Sequence, residues 1–111
     1  MCSLLIFVLI FQVTLDRPYH PTIIDDFAKS RFTHVETVGR IILVKNEADG
    51  DIHFRIADEH GHFVVCEIVP FHPLDKPQFG DLVRVRGIRR YDDTSGHGWW
   101  EIHPVESWTK Q

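Results

Sequence analysis

The chain reads as an all-β domain, a small closed Greek-key barrel of five strands preceded by a short helix and an apolar amino-terminal segment. Three observations point there. From Thr33 onward, apolar residues recur at every second position, the period of a half-buried strand. The first such run has Gly39 inside it, and a glycine within a strand marks a bulge or a sharp bend. A connection holding three prolines, PFHPLDKPQFGD (70–81), separates the third run from the fourth and reads as loop. At 111 residues the chain is one domain, long enough to bury a hydrophobic core without staples.

Near the start lies SLLIFVLIFQVTL (3–15). It is too short to span a bilayer as a helix, so no transmembrane segment is expected. Its length suits a signal peptide, but it lacks a positively charged leader and no small-residue cleavage site follows. The reading adopted is a buried or dimer-forming strand, with a cytoplasmic protein and a homodimer as its consequences. A weak export signal or membrane-surface anchor is the alternative. An uncovered strand this apolar would invite aggregation.

TIIDDFAKSRF (22–32) reads as a short helix: Thr22 caps it, Asp25 and Asp26 open it, and Lys29 and Arg31 close it in line with the macrodipole. Ile23, Ile24 and Phe27 form its apolar stripe. Residues 1–32 are thus an arm packed on the barrel or in an oligomer contact, and residues 33–111 are the barrel.

VETVGRIILVK (35–45) is the first barrel strand and NEADGD (46–51) a turn. DIHFRIAD (51–58) and HFVVCEIV (62–69) follow, joined by Glu59-His60-Gly61, with glycine supplying the left-handed position of a three-residue hairpin loop. That loop sets Asp58 against His62, Ile56 against Val64, Phe54 against Cys66 and Ile52 against Ile68, so every core residue meets another. The outer face then carries His53 opposite Glu67, Arg55 opposite Val65 and Ala57 opposite Phe63. DLVRVRGI (81–88) points Val83 and Val85 inward and Arg84 and Arg86 outward. YDDTSGHG (91–98) is a long turn before the last strand, WWEIHPV (99–105).

Hydrophobic content of 43% and charged content of 25% are ordinary globular values. The net charge of −4 disfavours any protein that holds nucleic acid by bulk positive charge, so such a role must rest on a local patch. Cys2 and Cys66 form no disulfide framework and no CxxC zinc pattern; Cys66, inside FVVCEIV, reads as a small buried hydrophobe.

The stretch GDLVRVRGI (80–88) resembles the fourth strand of an OB-fold, a turn glycine leading into alternating valines and a second glycine. DGDIH (49–53) together with WEIHPV (100–105) is similar to small bacterial OB-like proteins with DGDxH and ELHPV motifs, a group to which no settled activity attaches. The resemblance covers residues 34–105 and implies an OB-like barrel. Such barrels bind single-stranded nucleic acid or oligosaccharide across the second and third strands and the flanking loops, an inference by analogy of fold. The chain departs from the OB pattern in lacking a helix between the third and fourth strands; its amino-terminal segment is a candidate for the missing barrel plug.

The candidate ligand groups are few. With Ile102 inward, Trp100 shares its face, while Trp99, Glu101 and His103 point outward. Trp99 then stands at the end of a loop, where an indole can stack on a base; packing beneath the amino-terminal segment or in a subunit contact is the alternative. RVRGIRRY (84–91) holds Arg84, Arg86, Arg89 and Arg90 with no acid, then Tyr91, a composition suited to phosphates and stacked bases, although Asp92 and Asp93 follow at once. Arg55 and Phe63 complete a platform on the outer face. The expected function is therefore a non-catalytic module for single-stranded DNA or RNA with low sequence specificity. Protein interaction through the apolar segment, or binding of a carbohydrate or small molecule, are the alternatives.

No cofactor is expected and no metal. His53 with Glu67 and Glu101 with His103, along with Asp51 and His97, have ligand chemistry, but there is no HxH or HExxH spacing within an element. Isolated histidine–glutamate pairs ordinarily make hydrogen bonds. No nucleophile elbow or comparable frame suggests catalysis.

Overall fold

The computed structural model describes residues 18–111, so the readings placed on 3–15, the dimer-forming strand included, lie outside the described residues. The described chain is an all-β closed barrel of five strands. They are β2 (His34–Asn46), β3 (Ile52–Ala57), β4 (Phe63–Ile68), β5 (Leu82–Asp92) and β6 (Trp99–Lys110), preceded by a two-residue strand β1 (His20–Pro21) and a 3-10 helix (Ile24–Lys29). The sheet runs β1-β2-β3-β4-β6-β5, and β2 pairs back to β5 to close it. All barrel pairings are antiparallel except β4 with β6. This mixed, closed arrangement is compatible with an OB-like fold.

The closure depends on β2, long enough to serve two partners. Its first half pairs β5, from His34↔Ile88 to Arg40↔Leu82, and its second half pairs β3, from Arg40↔Ala57 to Asn46↔Ile52. Gly39 sits at the changeover. A Cβ there would lie 2.7 Å from Ile24 Cδ1, 2.9 Å from Ile56 Cβ and 3.1 Å from the Ala57 carbonyl oxygen, so only glycine lets the bent strand cross this close to the helix and β3. The bulge itself falls two residues later, between Ile41 and Leu43.

The β3–β4 hairpin has the register its loop requires: Ile52↔Ile68, Phe54↔Cys66, Ile56↔Val64, with His53↔Glu67, Arg55↔Val65 and Ala57↔Phe63 on the outer face. Gly61 takes φ +84°, and the Asp58 N–H donates to the His62 carbonyl at 3.0 Å. The barrel core joins Val35, Ile41, Phe54, Ile56, Val64, Cys66, Val83, Val85, Ile102 and Val105, all at most 1% exposed. Burial pushes the Cys66 thiol well up from its usual range. Residues 70–81 form an irregular connection with no helix or strand.

The amino-terminal helix differs from expectation in two ways. Thr22 does not cap it: its N–H donates to the Glu36 carbonyl at 2.8 Å, continuing the parallel β1–β2 pairing, and its hydroxyl turns back to the His20 carbonyl at 3.1 Å. Ile23 takes the cap position with no side-chain bond. The helix is also of the 3-10 type, in which positions three apart eclipse. Ile24 and Phe27 therefore share the buried face and plug the barrel, while Ile23 is 62% exposed.

The last two strands are longer than their alternation alone indicates. They form one antiparallel ladder from Asp92↔Trp99 to Val83↔Lys110, with register shifts on either side of Gly87. A methyl group at Gly87 would collide with the Pro104 carbonyl, lie 2.6 Å from Ile102 Cγ2 and lie 3.1 Å from Val105 Cα. Two of those three obstacles are backbone and cannot step aside without opening the ladder. Gly87→Ala is expected to cost about 3 kcal/mol by urea denaturation, at the upper end of overpacking penalties. A loss below about 0.5 kcal/mol, the range of inert surface changes, would show that the β5–β6 ladder has slack.

Candidate ligand face and its buried charge network

The parallel pairing of β4 with β6, Val65↔Glu101 and Cys66↔Ile102, turns Cys66 and Ile102 inward and lays Glu67 and Glu101 on the outer face. Two side-chain pairs that are distant in sequence thereby fuse. His103 Nδ1 lies 2.9 Å from Glu67 Oε2 and 3.3 Å from Glu101 Oε1. His53 Nδ1 lies 3.6 Å from Glu67 Oε1 and 3.5 Å from Glu47 Oε1. Arg55 Nε donates to His53 Nε2 at 3.3 Å, so the neutral His53 ring carries its proton on Nδ1, towards the two glutamates.

Outward direction did not mean exposure. Glu101 and Val65 are 0% exposed and His53 only 4%, although all three lie on the outer face of the sheet. The Trp99 indole is one reason. Its Nε1–H donates to Glu101 Oε2 at 3.1 Å, and its ring stands edge-on to His53 at 5.9 Å. Arg90 Nε donates to the other Glu101 oxygen at 2.5 Å. Burial works to raise the Glu101 carboxyl, but His103, Arg90 and Trp99 outweigh it and hold the group below its ordinary value. Trp100 takes the opposite side: it packs against the core, edge-on to Phe27 at 6.3 Å and 5.3 Å from the Tyr91 ring.

The arginine stretch does not form one patch. Arg84 and Arg86 leave β5 opposite Thr109 and Ser107, at the far end of β6, and share Glu36 at 3.8 and 2.6 Å. Arg89 donates to the backbone carbonyls of Phe32 (3.0 Å) and Phe27 (3.3 Å) and covers Trp100 at 4.4 Å, which fastens the amino-terminal turn to the barrel. Arg90 belongs to Glu101. The register shifts at Gly87 interrupt the alternation, so one run of arginines is sent in three directions.

What the structure does bring together is a different row. Phe63, Arg55, Trp99 and His97 follow one another across β4, β3, the start of β6 and the 93–98 loop. The Arg55 guanidinium lies 5.0 Å from the Phe63 centroid and 5.2 Å from that of Trp99, and His97 stacks on Trp99 at 4.3 Å. Asp92 holds His97 in place, with Nδ1 2.6 Å from its Oδ2. Thr94 donates both its hydroxyl and its N–H to the same carboxylate, and these bonds keep Asp92 far below the ordinary carboxylate range. Phe63 is 41% exposed, so the row is open to solvent at that end, whereas Tyr91 lies with Trp100 and outside the row.

Asp51 joins the network from the β2–β3 turn. One donor atom from each of Asp51, Glu67 and His103 lies within 4.8 Å of the other two. Burial, then the charges of Asp49 and Glu67, raise the Asp51 carboxyl. At the hairpin tip a second group, Asp58, His60 and His62, is equally close but mostly exposed. No signal in the sequence could have paired Glu67 with His103, because strand adjacency is decided by closure.

No protein-family model matches the chain, and neither does any curated protein sequence.

The network makes stability pH-dependent. The Glu101 and Glu67 carboxylates push the His103 imidazole up to about 9 from 6.5, against burial and the Arg90 charge. His103 and then His53 hold Glu67 down at about 2. A raised folded pKa gives stability that is complete below about 6.5 and lost as pH climbs through about 9. The Glu67 contribution is present above 4.5 and lost on descent through about 2. Urea melts in chelating buffer should therefore show stability falling between pH 6.5 and 9, and His103→Gln should flatten that fall while leaving Glu67, Glu101, Asp51 and Arg90 in place. An unchanged slope in the variant would place the titrating group elsewhere.

Proposed function

We propose that this barrel is a non-catalytic OB-like binding module that takes single-stranded nucleic acid on the outer face of β3, β4 and β6. The strand order supports the OB-like reading: in barrel numbering the strands run one-two-three-five-four and back to one, with three parallel to five. The observation that carries the ligand assignment is the row Phe63, Arg55, Trp99 and His97, one guanidinium set among three aromatic rings beside a long loop. Bases stack on such rings without regard to sequence, at about 1–3 kcal/mol per base.

Among the described residues, the arginines on this face are Arg55 and Arg90; Arg84 and Arg86 lie at the other end of β6, and Arg89 is committed to the backbone. Two phosphate contacts on a single strand give a log K against log salt slope of about −1.4, shallow for a nucleic-acid binder. A neutral oligosaccharide is the second reading, favoured by the carboxylate partners of Arg84, Arg86 and Arg90 and by the net charge of −4. A sugar would stack on the same indole with no salt dependence.

Titration with a short oligothymidylate at low salt, read by tryptophan fluorescence, tests this. Quenching that disappears in Trp99→Phe is the expected result. Arg55→Ala and Phe63→Ala should each weaken binding by about 1–2 kcal/mol, and Arg84→Ala by far less. Absence of quenching and binding even at low salt would end the nucleic-acid reading. Salt-independent oligosaccharide binding lost in Trp99→Phe would replace it with the second.

A further inference from the structure

The geometry points to a site for one divalent transition-metal ion, of the zinc, cobalt or manganese class, held by Asp51, Glu67 and His103 on the outer face, where Glu101 joins His103 to the Trp99 indole. The three ligands come from three segments, the β2–β3 turn, β4 and β6, and converge only through barrel closure. One donor atom from each lies within 4.8 Å of the others. A tetrahedral ion with bonds of about 2.0–2.1 Å needs donor separations of about 3.4 Å, so the set has to contract by an order of an ångström. One imidazole with two carboxylates suits a borderline ion better than magnesium, and leaves a coordination position for water.

Two further observations call for a cation here. Among the described residues, no Lys, Arg or His lies within ion-pairing distance of the Asp51 carboxylate, although it stands beside Glu67. His103 Nδ1 approaches two carboxylates yet makes an aligned hydrogen bond with neither. Arg90 is bound to Glu101 and Lys45 to Glu47, so among the described residues the groups that meet Asp51 and Glu67 are His103 and His53.

The surroundings hold the ligands in place. Gly50 adopts φ +95°, and a Cβ there would come within 3.1 Å of Pro70, so the turn bearing Asp51 is seated against the end of β4. The Asp51 N–H donates to Asp49 Oδ1 at 3.0 Å, and its carbonyl accepts from Glu47 N–H at 2.8 Å. His53 supports Glu67 from β3, and Glu101, tied by Arg90 and Trp99, supports His103 from its own strand. Metal sites depend on such outer partners for ligand orientation.

The test uses the full chain without an affinity tag, stripped with chelator and titrated calorimetrically with Co²⁺, Zn²⁺ and, as control, Mg²⁺. One Co²⁺ or Zn²⁺ per chain and no Mg²⁺ binding is expected. Asp51→Asn and Glu67→Gln should each weaken binding more than about tenfold. The double substitution H60A/H62A, at the hairpin tip, should leave it unchanged. Circular dichroism reports whether each variant folds. In the unaltered chain, Co²⁺ should broaden the Trp99 indole and Asp51 amide resonances before those of His60 and His62. No saturable binding, unchanged affinity in D51N and E67Q, loss in H60A/H62A, or earlier broadening at the hairpin tip would each overturn the site. Oligonucleotide binding can persist through all of these, so the two proposals fail separately.

Discussion

The parallel contact between β4 and β6 is the junction on which the molecule turns. It spans few residues, Val65↔Glu101 and Cys66↔Ile102, yet it joins the β2–β3–β4 meander to the β5–β6 ladder. Inward, it seats Cys66 and Ile102 in one core with Phe54 and Val105. Outward, it brings Glu67 beside His103 and so unites two polar pairs that the chain keeps more than thirty residues apart. Parallel pairing cannot be reached by a tight turn; the long 69–98 excursion that carries β5 supplies the crossover.

The outer face carries a cost that the neighbouring side chains must offset. A wholly buried carboxylate such as Glu101 is expensive to desolvate and becomes tolerable only when its oxygens are fully bonded. Arg90 and the Trp99 indole supply those bonds, one to each oxygen. The adjacent tryptophans therefore have separate duties that follow from strand alternation: Trp100 packs on the core, and Trp99 shelters a charge outside it. An indole bonded in this way, with His97 stacked on it, is fixed in orientation.

Two glycines set the limits of this economy of space. Gly39 admits Ile24 and β3 to the backbone of β2, and Gly87 admits Pro104 and Ile102 to β5. The second also redirects chemistry. By interrupting the alternation of β5, the irregularity at Gly87 leaves Arg84 and Arg86 with Glu36, turns Arg89 onto the amino-terminal turn and gives Arg90 to Glu101. Positive charge from this run is thus spread over separate parts of the barrel and met locally by carboxylates or carbonyls.

By itself the sequence determined the period-two strands, the three-residue hairpin loop with its register, the inward Cys66, Val83 and Val85, and the irregular proline-rich connection. Each of these follows from local chemistry: side-chain alternation, a left-handed glycine, proline's missing donor. Only the tertiary structure decided that Glu101, Val65 and His53 are covered, that Glu67 adjoins His103, that the arginine run divides, and that Thr22 pairs with β2 instead of capping a helix. Alternation gives the direction of a side chain but not what arrives above it from another strand. That is settled when the barrel closes, between residues whose separation in the chain leaves no local trace.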